Sequence, residues 1–345
     1  MIKELSLLNF RLFSNLDLTF NNSLIILCGK NGIGKTSILE AMHLASSTKS
    51  FKDTNISNLI KKDTEFSKII LKSDKEYSVF FTKDNHIFSI NQKEYKRLKD
   101  YIGNLYTIIF SSTDLNLIDG TNLYKRRFLD SEISTLNKNY LKVYSEYKKI
   151  LSERNEALKA QEVDKTYLSV LTSELIEKLK YLYQERLSFI DKLNYELIDI
   201  SSNLNFNKIS IKYVKTYDDK NIIKSFNDKL EYDIKTRTTN IGIHRDEFKV
   251  LIDNDDAEVF ASLGQKRMIA IEIKLALKQV IKKMLGVDAI LLLDDVFATL
   301  DNSKINKLIE YIKDSKQAFI TTTSVFEIPE ELLKNASVIR IGEMK

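Results

Sequence analysis

Cysteine is almost absent from this sequence, since Cys28 is the only one among 345 residues and an internal disulfide is therefore impossible. Cys28 ends a short apolar run, which favours a small core residue over a reactive thiol. Histidine is nearly as rare. His43, His86 and His244 lack the spacing of metal ligands, so the sequence does not favour a zinc site.

Long apolar runs are missing as well. No stretch approaches eighteen consecutive apolar residues, and residues 1–5 do not begin the apolar core of a signal peptide. We therefore expect a cytoplasmic protein that does not work at a membrane. The length allows one large core with a second lobe, or two domains. The net charge of +5 permits a polyanionic partner without requiring one.

What the sequence does contain is a complete phosphate-binding loop. Residues 29–36 fit the pattern Gly-x-x-x-x-Gly-Lys-Thr, after the apolar run 23–28 and before apolar residues at helical spacing. A buried strand, a glycine-rich loop and a helix start are the context in which this pattern binds nucleotide. The candidate residues of this site are Gly29, Lys30, Asn31, Gly32, Ile33, Gly34, Lys35, Thr36 and Ser37.

The residue types of this loop match the chemistry of a nucleoside triphosphate. Glycines let successive backbone N–H groups turn towards the phosphates, and the helix start adds further donors. We expect Lys35 to contact the β- and γ-phosphates and the Thr36 hydroxyl to bind Mg²⁺. A turn that binds nothing is the alternative, and the complete pattern speaks against it.

A region without glycine or proline, residues 122–203, indicates a helical lobe. Apolar residues within it recur at helical spacing, and the polar segment 161–165 divides them into two parts. We predict an antiparallel helical hairpin whose stripe forms its core, while a partner-binding role stays open. The stripe consists of Tyr140, Tyr144, Tyr147 and Leu151, then Leu168, Leu171, Leu175, Leu179, Leu182, Phe189, Leu193 and Leu197.

A second part of a nucleotide site follows in the last third of the chain. The run 289–293 is apolar and ends in Asp294 and Asp295, as a buried parallel strand does when its carboxyl end faces a ligand. Adjacent carboxylates there require a cation or a reacting water. We expect Asp294 to hold Mg²⁺ and Asp295 to act as the base that orients the attacking water. The alternative is a solvated strand end.

The segment Ser262-Leu263-Gly264-Gln265 precedes an amphipathic helix about thirty residues before Asp294. A serine, a glycine and a helix start form a second anion-binding terminus. One loop cradles one ATP, so we infer that this terminus addresses the ATP of a second copy. The nucleotide would then lie between two protomers. On its own, the segment would be a simple helix cap.

These motifs together resemble the ATP-binding-cassette head of the SMC-like ATPases and, more narrowly, the RecF family of bacterial recombination mediators. The resemblance spans nearly the whole length. It rests on the phosphate-binding loop, the helical insertion, Ser-x-Gly-Gln and the apolar strand ending in two aspartates. Further segments that carry it are Leu8-Asn9-Phe10-Arg11, Lys49-Ser50-Phe51-Lys52, Lys125-Arg126-Arg127-Phe128-Leu129-Asp130, Gly242-Ile243-His244-Arg245-Asp246-Glu247 and Ala298-Thr299-Leu300-Asp301.

The resemblance implies roles that spacing alone does not. Ser262, Gly264 and Gln265 would contact the γ-phosphate bound by the partner, and Asp301 would lie at the dimer junction. Slow ATP hydrolysis, ATP-dependent dimerisation and binding to duplex DNA near gaps, and to single strands, are also implied. So is cooperation with RecR and RecO in loading RecA. The sequence is less specific about DNA contacts: Lys125, Arg126 and Arg127, or Lys148 and Lys149, are candidates, and the alternative for each cluster is a solvated helix face.

Three positions depart from the family pattern. Ile243 replaces a frequent proline, Leu263 replaces a frequent arginine, and Ser324 stands where many cassette ATPases have a switch histidine. The triplet 321–323, all threonine, follows an apolar strand and offers hydroxyl groups near that position.

The function that these features favour is a DNA clamp gated by ATP. The alternatives are a transporter-energising subunit, a phage-defence ATPase coupled to a nuclease, and a small-molecule kinase. A kinase would leave Ser-x-Gly-Gln unexplained.

The predicted fold is an α/β P-loop ATPase head of the ATP-binding-cassette type with an inserted helical lobe. Alternating segments between residues 2 and 20 predict a strand pair ahead of the loop strand, and those between 68 and 90 predict hairpins that continue the sheet. We predict an ATPase part over residues 1–113, a helical lobe over 114–205, and a second ATPase part over 206–345.

Overall fold

A computed structural model describes residues 1–204, 207–297 and 302–342 of the chain. The described residues fall into two compact units. The first contains residues from 1–114, 203–205 and 263–345, and the second contains residues from 115–202 and 206–262. The predicted α/β architecture with a helical insertion is confirmed, because strands and helices alternate around the loop, and five α-helices and a small sheet of the described chain form the second unit.

The first unit is built on two sheets. An antiparallel sheet has the strand order β2-β1-β4-β5-β6-β7, and it includes the strands predicted on both sides of the loop strand. Leu5, Leu7, Ile69 and Val79 alternate along these strands into one buried cluster, as a sheet with one covered face requires. The strands are β1 Glu4–Phe10, β2 Phe13–Thr19, β4 Phe66–Lys72, β5 Glu76–Thr82, β6 His86–Ile90 and β7 Lys93–Glu94.

The second sheet is parallel and positions the candidate site. Its order is β14-β3-β13-β12-β8, and every residue of β3 and β13 is buried. Both faces of such a sheet are covered, which explains the continuous apolar runs at 24–28 and 290–293. The strands are β3 Leu24–Cys28, β8 Thr107–Phe110, β12 Ile290–Asp294, β13 Ala318–Thr322 and β14 Ala336–Arg340. The helices of this unit are α1 Lys35–Ser47, α2 Leu98–Tyr101, α8 Leu263–Leu285, α9 Asn302–Lys313 and α10 Glu330–Leu333.

The second unit contains the predicted helical hairpin. Its arms are antiparallel, because Asn137 bonds Glu185 at 2.9 Å, whereas Arg154 near the other end bonds Thr172 at 3.0 Å. All eight apolar residues predicted in the second arm are buried; in the first arm Tyr140 and Tyr147 are buried, and Tyr144 and Leu151 are partly so. The helices of this unit are α3 Asn122–Leu136, α4 Lys138–Lys159, α5 Lys165–Leu204, α6 Ile222–Thr236 and α7 Ala257–Phe260.

A small antiparallel sheet, in the order β11-β10-β9, completes the second unit. Its strands are β9 Ile209–Val214, β10 Glu247–Ile252 and β11 Asp255–Asp256. By contacts, the described residues of 206–262 therefore group with the helical hairpin, whereas the sequence assigned them to the ATPase part. The functional domain boundaries stay a prediction.

Within the described residues, no helix is both long and apolar enough to cross a membrane.

Candidate functional site

The phosphate-binding loop lies between β3 and α1, in the context that the sequence predicts. Gly32 and Gly34 have φ angles of 80° and 104°, a region in which glycine carries no steric cost. A Cβ atom at Gly34 would also lie 2.5 Å from the ring of Phe13. Both the backbone conformation and the packing of β2 against the loop therefore require glycine at this position.

The lysine of the loop is held against its own backbone. Lys35 is only 7% exposed, and its ammonium group donates to the carbonyl oxygens of Gly29 at 2.6 Å and Lys30 at 3.1 Å. Neutral carbonyls satisfy the donors of this cation without cancelling its charge. The charge is thus held at the loop, where phosphate oxygens are stronger acceptors than carbonyls.

The two halves of the predicted nucleotide site meet directly. The Thr36 hydroxyl at the start of α1 donates to Oδ1 of Asp294 at the end of β12, over 2.7 Å. Thr321 in β13 donates to the same oxygen over 3.0 Å, and the backbone N–H of Asp295 donates to the Thr321 hydroxyl over 2.9 Å. Because Asp294 and Thr321 are partners in the parallel register, the sheet itself places these groups together.

Asp295 differs from its neighbour in both backbone and electrostatics. Its φ of 54° is left-handed, a conformation that costs a non-glycine residue about 1–3 kcal/mol and that clusters at functional sites. Its side chain is exposed, yet partial burial and the nearby carboxylates of Glu327 and Asp294 raise its pKa above the usual range, while Lys35 opposes that rise. A carboxylate whose pKa is raised is a better proton acceptor, as a general base requires.

Hydroxyl and carboxylate groups surround Ser324, the residue that by its place in the sequence stands where many cassette ATPases have a histidine. Thr322 and Thr323 donate to the two oxygens of Glu327 over 2.5 and 2.7 Å, and these bonds lower the pKa of Glu327. The Ser324 hydroxyl accepts from the backbone N–H of Phe326 over 3.3 Å. Sequence reasoning named the threonines without a role and missed Glu327, although a carboxylate six residues after Thr321 was the available signal.

The Ser-x-Gly-Gln segment begins α8 as predicted, because the helix starts at Leu263, directly after Ser262. A Cβ atom built on Gly264 would meet no atom within 4 Å, so nothing described in this chain fills the space in front of it. Gln265 is partly exposed on the same first turn. Asp301, predicted at a dimer junction, lies outside the described residues, as do Ala298, Thr299 and Leu300.

The donor set at the junction fits magnesium. The Thr36 hydroxyl and the Asp294 carboxylate are hard oxygen donors, and Mg²⁺ is usually bound by one or two such groups together with substrate phosphates and water. Among the described residues, no group of three or more His, Cys, Asp or Glu side chains could hold a metal ion alone. In phosphoryl-transfer enzymes, the phosphates of the nucleotide supply further ligands to such a metal.

The basic residues considered for DNA contacts are used in different ways. Lys125 is 4% exposed and pairs with Glu258 at 3.2 Å, so it supports the fold of the second unit. Arg126 is partly buried and Arg127 is exposed. Lys148 lies 4.7 Å from the centre of the Tyr144 ring, and Lys149 pairs with Glu153 at 3.8 Å; both lysines are exposed.

Known proteins resemble this chain over nearly its full length. The model of the RecF/RecN/SMC N-terminal domain family matches residues 1–340. The DNA replication and repair protein RecF of Acholeplasma laidlawii is 36% identical over 325 residues, which is 93% of both chains. The protein of the same name from Bacillus subtilis is 32% identical over 373 residues, covering 99% of this chain and 98% of its own.

Solved structures of related proteins also resemble this chain. The recombination mediator protein RecF with ATP, described as part of the RecFOR pathway, is 28% identical with a TM-score of 0.87, over 95% of this chain and 93% of its own. The Smc head domain of Pyrococcus furiosus has a TM-score of 0.54 at 15% identity, over 98% of this chain and 92% of its own. Because the identity of this chain to the Smc head domain is only 15%, this second similarity supports the fold of the chain and nothing about its function.

We predict that Lys35→Ala removes ATP binding. The substitution deletes the cation held at the loop, and losing charge-assisted bonds to two phosphates weakens binding by about 100-fold or more. Isothermal titration with ATP measures the effect, and thermal unfolding checks that the variant folds. Lys62→Ala, which removes an exposed lysine of the same unit, serves as the control and keeps wild-type affinity. ATP retention by the Lys35 variant at wild-type strength would contradict the loop assignment.

Proposed function

Because the chain belongs to the RecF/RecN/SMC N-terminal domain family, and to its RecF members in particular, we propose that it is an ATP-gated, homodimeric DNA clamp. In this proposal it is a DNA replication and repair protein of the cytoplasm. It binds ATP, and slow hydrolysis acts as a timer: ATP closes the dimer, and hydrolysis opens it.

The observation that carries the proposal is the bond between Thr36 and Asp294. It joins the loop to the aspartate strand at the carboxyl edge of the parallel sheet, which supports assigning both to one nucleotide site. Ligands bind at this edge in open α/β sheets. The loop glycines, Lys35 and Ser37 would hold the phosphates from one protomer.

The second protomer would close the site with its own Ser262, Gly264 and Gln265. Two features support this arrangement. The helix start of α8 offers backbone donors to an anion, and the open space at Gly264 allows another molecule to approach the backbone closely. By its place in the sequence, Asp301 would lie at the same junction.

Hydrolysis would depend on Asp295. Thr36 and Asp294 would hold Mg²⁺, which supplies charge stabilisation to the phosphates when bound. Asp295 would accept the proton of the attacking water, for which its raised pKa is suited. The Lys35 ammonium would turn from the loop carbonyls to the phosphate oxygens and stabilise the charge that develops there.

The proposed partners are taken from the relatives to which this chain is similar. Duplex DNA, gapped duplex and single strands are the proposed ligands of the dimer. Because the solved relative is described as a recombination mediator of the RecFOR pathway, we extend to this chain cooperation with RecR and RecO in loading RecA. The curated relatives bear the name of a DNA replication and repair protein, which favours this reading over a transporter-energising subunit or a phage-defence ATPase.

We predict that Gly264→Leu blocks dimerisation while leaving the monomer intact. A Cβ atom at this position meets no described atom within 4 Å, and leucine has the higher helix propensity by about 0.5–1 kcal/mol, so we expect the variant to fold. Light scattering with ATP and Mg²⁺ measures the mass, and titration measures ATP binding. Lys62→Leu, an exposed position of the same unit, is the control and should dimerise. A dimer of normal strength in the Gly264 variant would refute the assigned interface.

We predict that Asp295→Asn binds ATP but accumulates as the closed dimer. Asparagine keeps the size of the side chain and removes the base, which lowers hydrolysis by about 100-fold or more. Phosphate release and light scattering on one sample measure both effects. A variant that is saturated with ATP yet monomeric, or one that hydrolyses ATP at the wild-type rate, would count against Asp295 as the base.

A further inference from the structure

Two arginines of the second unit carry charges that no carboxylate neutralises directly. Arg126 lies in α3, and Arg245 lies in the segment that leads into β10. In the part of the chain that the structure describes, neither forms an ion pair, whereas the neighbouring Lys125 and Arg186 pair with Glu258 and Asp130. Unpaired arginines of this kind are the usual means of binding an external anion.

Both guanidinium groups are nevertheless held in place. Nη1 of Arg126 donates to the backbone carbonyl of Asp246 over 2.8 Å, and Nε of Arg245 donates to the carbonyl of Thr239 over 3.2 Å. The carbonyl bound by Arg126 belongs to the residue after Arg245, so the two side chains are fixed by the same short segment. Anchoring through neutral acceptors restricts the side chains but preserves their charge.

The segment itself is rigid because a buried network holds it. Arg186 is 1% exposed; it binds Asp130 through both carboxylate oxygens and donates to the carbonyl of Ile243 over 2.7 Å. The buried Asp246 carboxylate accepts from the hydroxyls of Tyr213, over 2.7 Å, and Thr216, over 2.8 Å. Breaking such a network leaves buried charges uncompensated, which keeps its members in one arrangement.

The charges around Arg126 do not balance. Burial lowers the pKa of Arg126, and the positive charges of Arg186 and Arg245 lower it further. The carboxylates of Asp130 and Asp246 raise it, but by less. The guanidinium groups of Arg126, Arg186 and Arg245 thus lie near the two carboxylates of Asp130 and Asp246. Glu247, the next acid along the chain, accepts from the Asn122 side-chain amide over 2.6 Å. Within this group of five side chains, one positive charge is not matched by a carboxylate.

His244 does not add to this charge. Burial and the three arginines lower its pKa to about 4, so the imidazole is neutral at physiological pH. Its Nδ1 lies 2.8 Å from the Tyr147 hydroxyl and its Nε2 lies 3.0 Å from the carbonyl of Thr239. In the neutral ring, Nε2–H donates to the carbonyl and Nδ1 accepts from the hydroxyl. His244 therefore helps to hold residues 239–246 in place, and Arg126 and Arg245 supply the positive charge.

We propose that Arg126 and Arg245 together form a binding site for backbone phosphates of duplex DNA. The site rests on the proposed DNA clamp function and gives it a contact surface on the second unit. Arginine forks match the geometry of phosphate oxygens, and contacts to phosphates position a protein on DNA without reading its sequence. Binding at this site is thus independent of base sequence and weakened by salt.

The test is the double variant Arg126→Gln with Arg245→Gln. Glutamine keeps an N–H donor for the carbonyls of Asp246 and Thr239 while removing both charges. Binding of a fluorescent duplex is measured with ATP and Mg²⁺ at several salt concentrations, alongside ATP affinity and molecular mass. We expect the duplex affinity to fall by about 100-fold, and the slope of log affinity against log salt to decrease by about two. ATP affinity and dimer formation stay at wild-type values.

The matched control removes two lysine charges from the same unit. Lys212 in β9 and Lys249 in β10 are exposed partners in the sheet register, and Lys212→Gln with Lys249→Gln should bind duplex within about threefold of wild type. The variant Arg126→Lys with Arg245→Lys retains both charges and should keep most of the salt slope. If the double glutamine variant unfolds at a lower temperature, Arg245→Gln alone, at an exposed position, is expected to lose about tenfold.

Several outcomes would overturn the site. Duplex affinity of the folded arginine variant equal to wild type would do so, as would an equal loss in the lysine control, which would point to net charge alone. A salt slope that does not change would mean that no phosphate contact was lost. Failure of the wild-type chain to bind duplex with ATP is a separate result, and it would overturn the proposed clamp function itself.

Discussion

The hydrogen bond from Thr36 to Asp294 is the interaction on which the candidate site depends. It spans 258 positions of the chain and joins the first turn of α1 to the last residue of β12. Its geometry is set by the parallel sheet, in which β13 lies between β3 and β12 and aligns Thr321 with Asp294. A slip of one residue in that register would turn the aspartate away and separate the two halves of the site.

The same edge of the sheet concentrates opposite charges. Lys35 is held at the loop by carbonyl groups, while Asp294, Asp295 and Glu327 place three carboxylates around the strand ends. The carboxylates of Glu327 and Asp294 contribute to the raised pKa of Asp295, so a nucleotide with Mg²⁺ would relieve a repulsion that acts on Asp295 in the fold. The left-handed backbone of Asp295 is consistent with a residue held for chemistry rather than for stability.

Local patterns in the sequence predicted much of this. The loop and the aspartate strand are defined by contiguous residues, and the hairpin by apolar residues at helical spacing, so each could be recognised without knowing the fold. Thr321 could not be assigned a role, because its partner Asp294 is set by pairing between strands that are distant in sequence. Glu327 bonds the nearby Thr322 and Thr323, but its electrostatic effect on Asp295 depends on the same pairing of distant segments. The pairing of Lys125 with Glu258 in α7 depends in the same way on packing between distant segments, as does the contact of Arg126 with the backbone next to Arg245.

We propose that ATP bound between the loop and the aspartate strand of one chain is enclosed by Ser262, Gly264 and Gln265 of a second chain. The most direct measurement is the molecular mass of the wild-type chain by analytical ultracentrifugation, with Mg²⁺ and either ATP, ADP or no nucleotide. The account predicts a species of twice the chain mass with ATP and a single chain in the other two conditions. A species with the mass of one chain under all three conditions, in a sample that still hydrolyses ATP, would contradict this prediction.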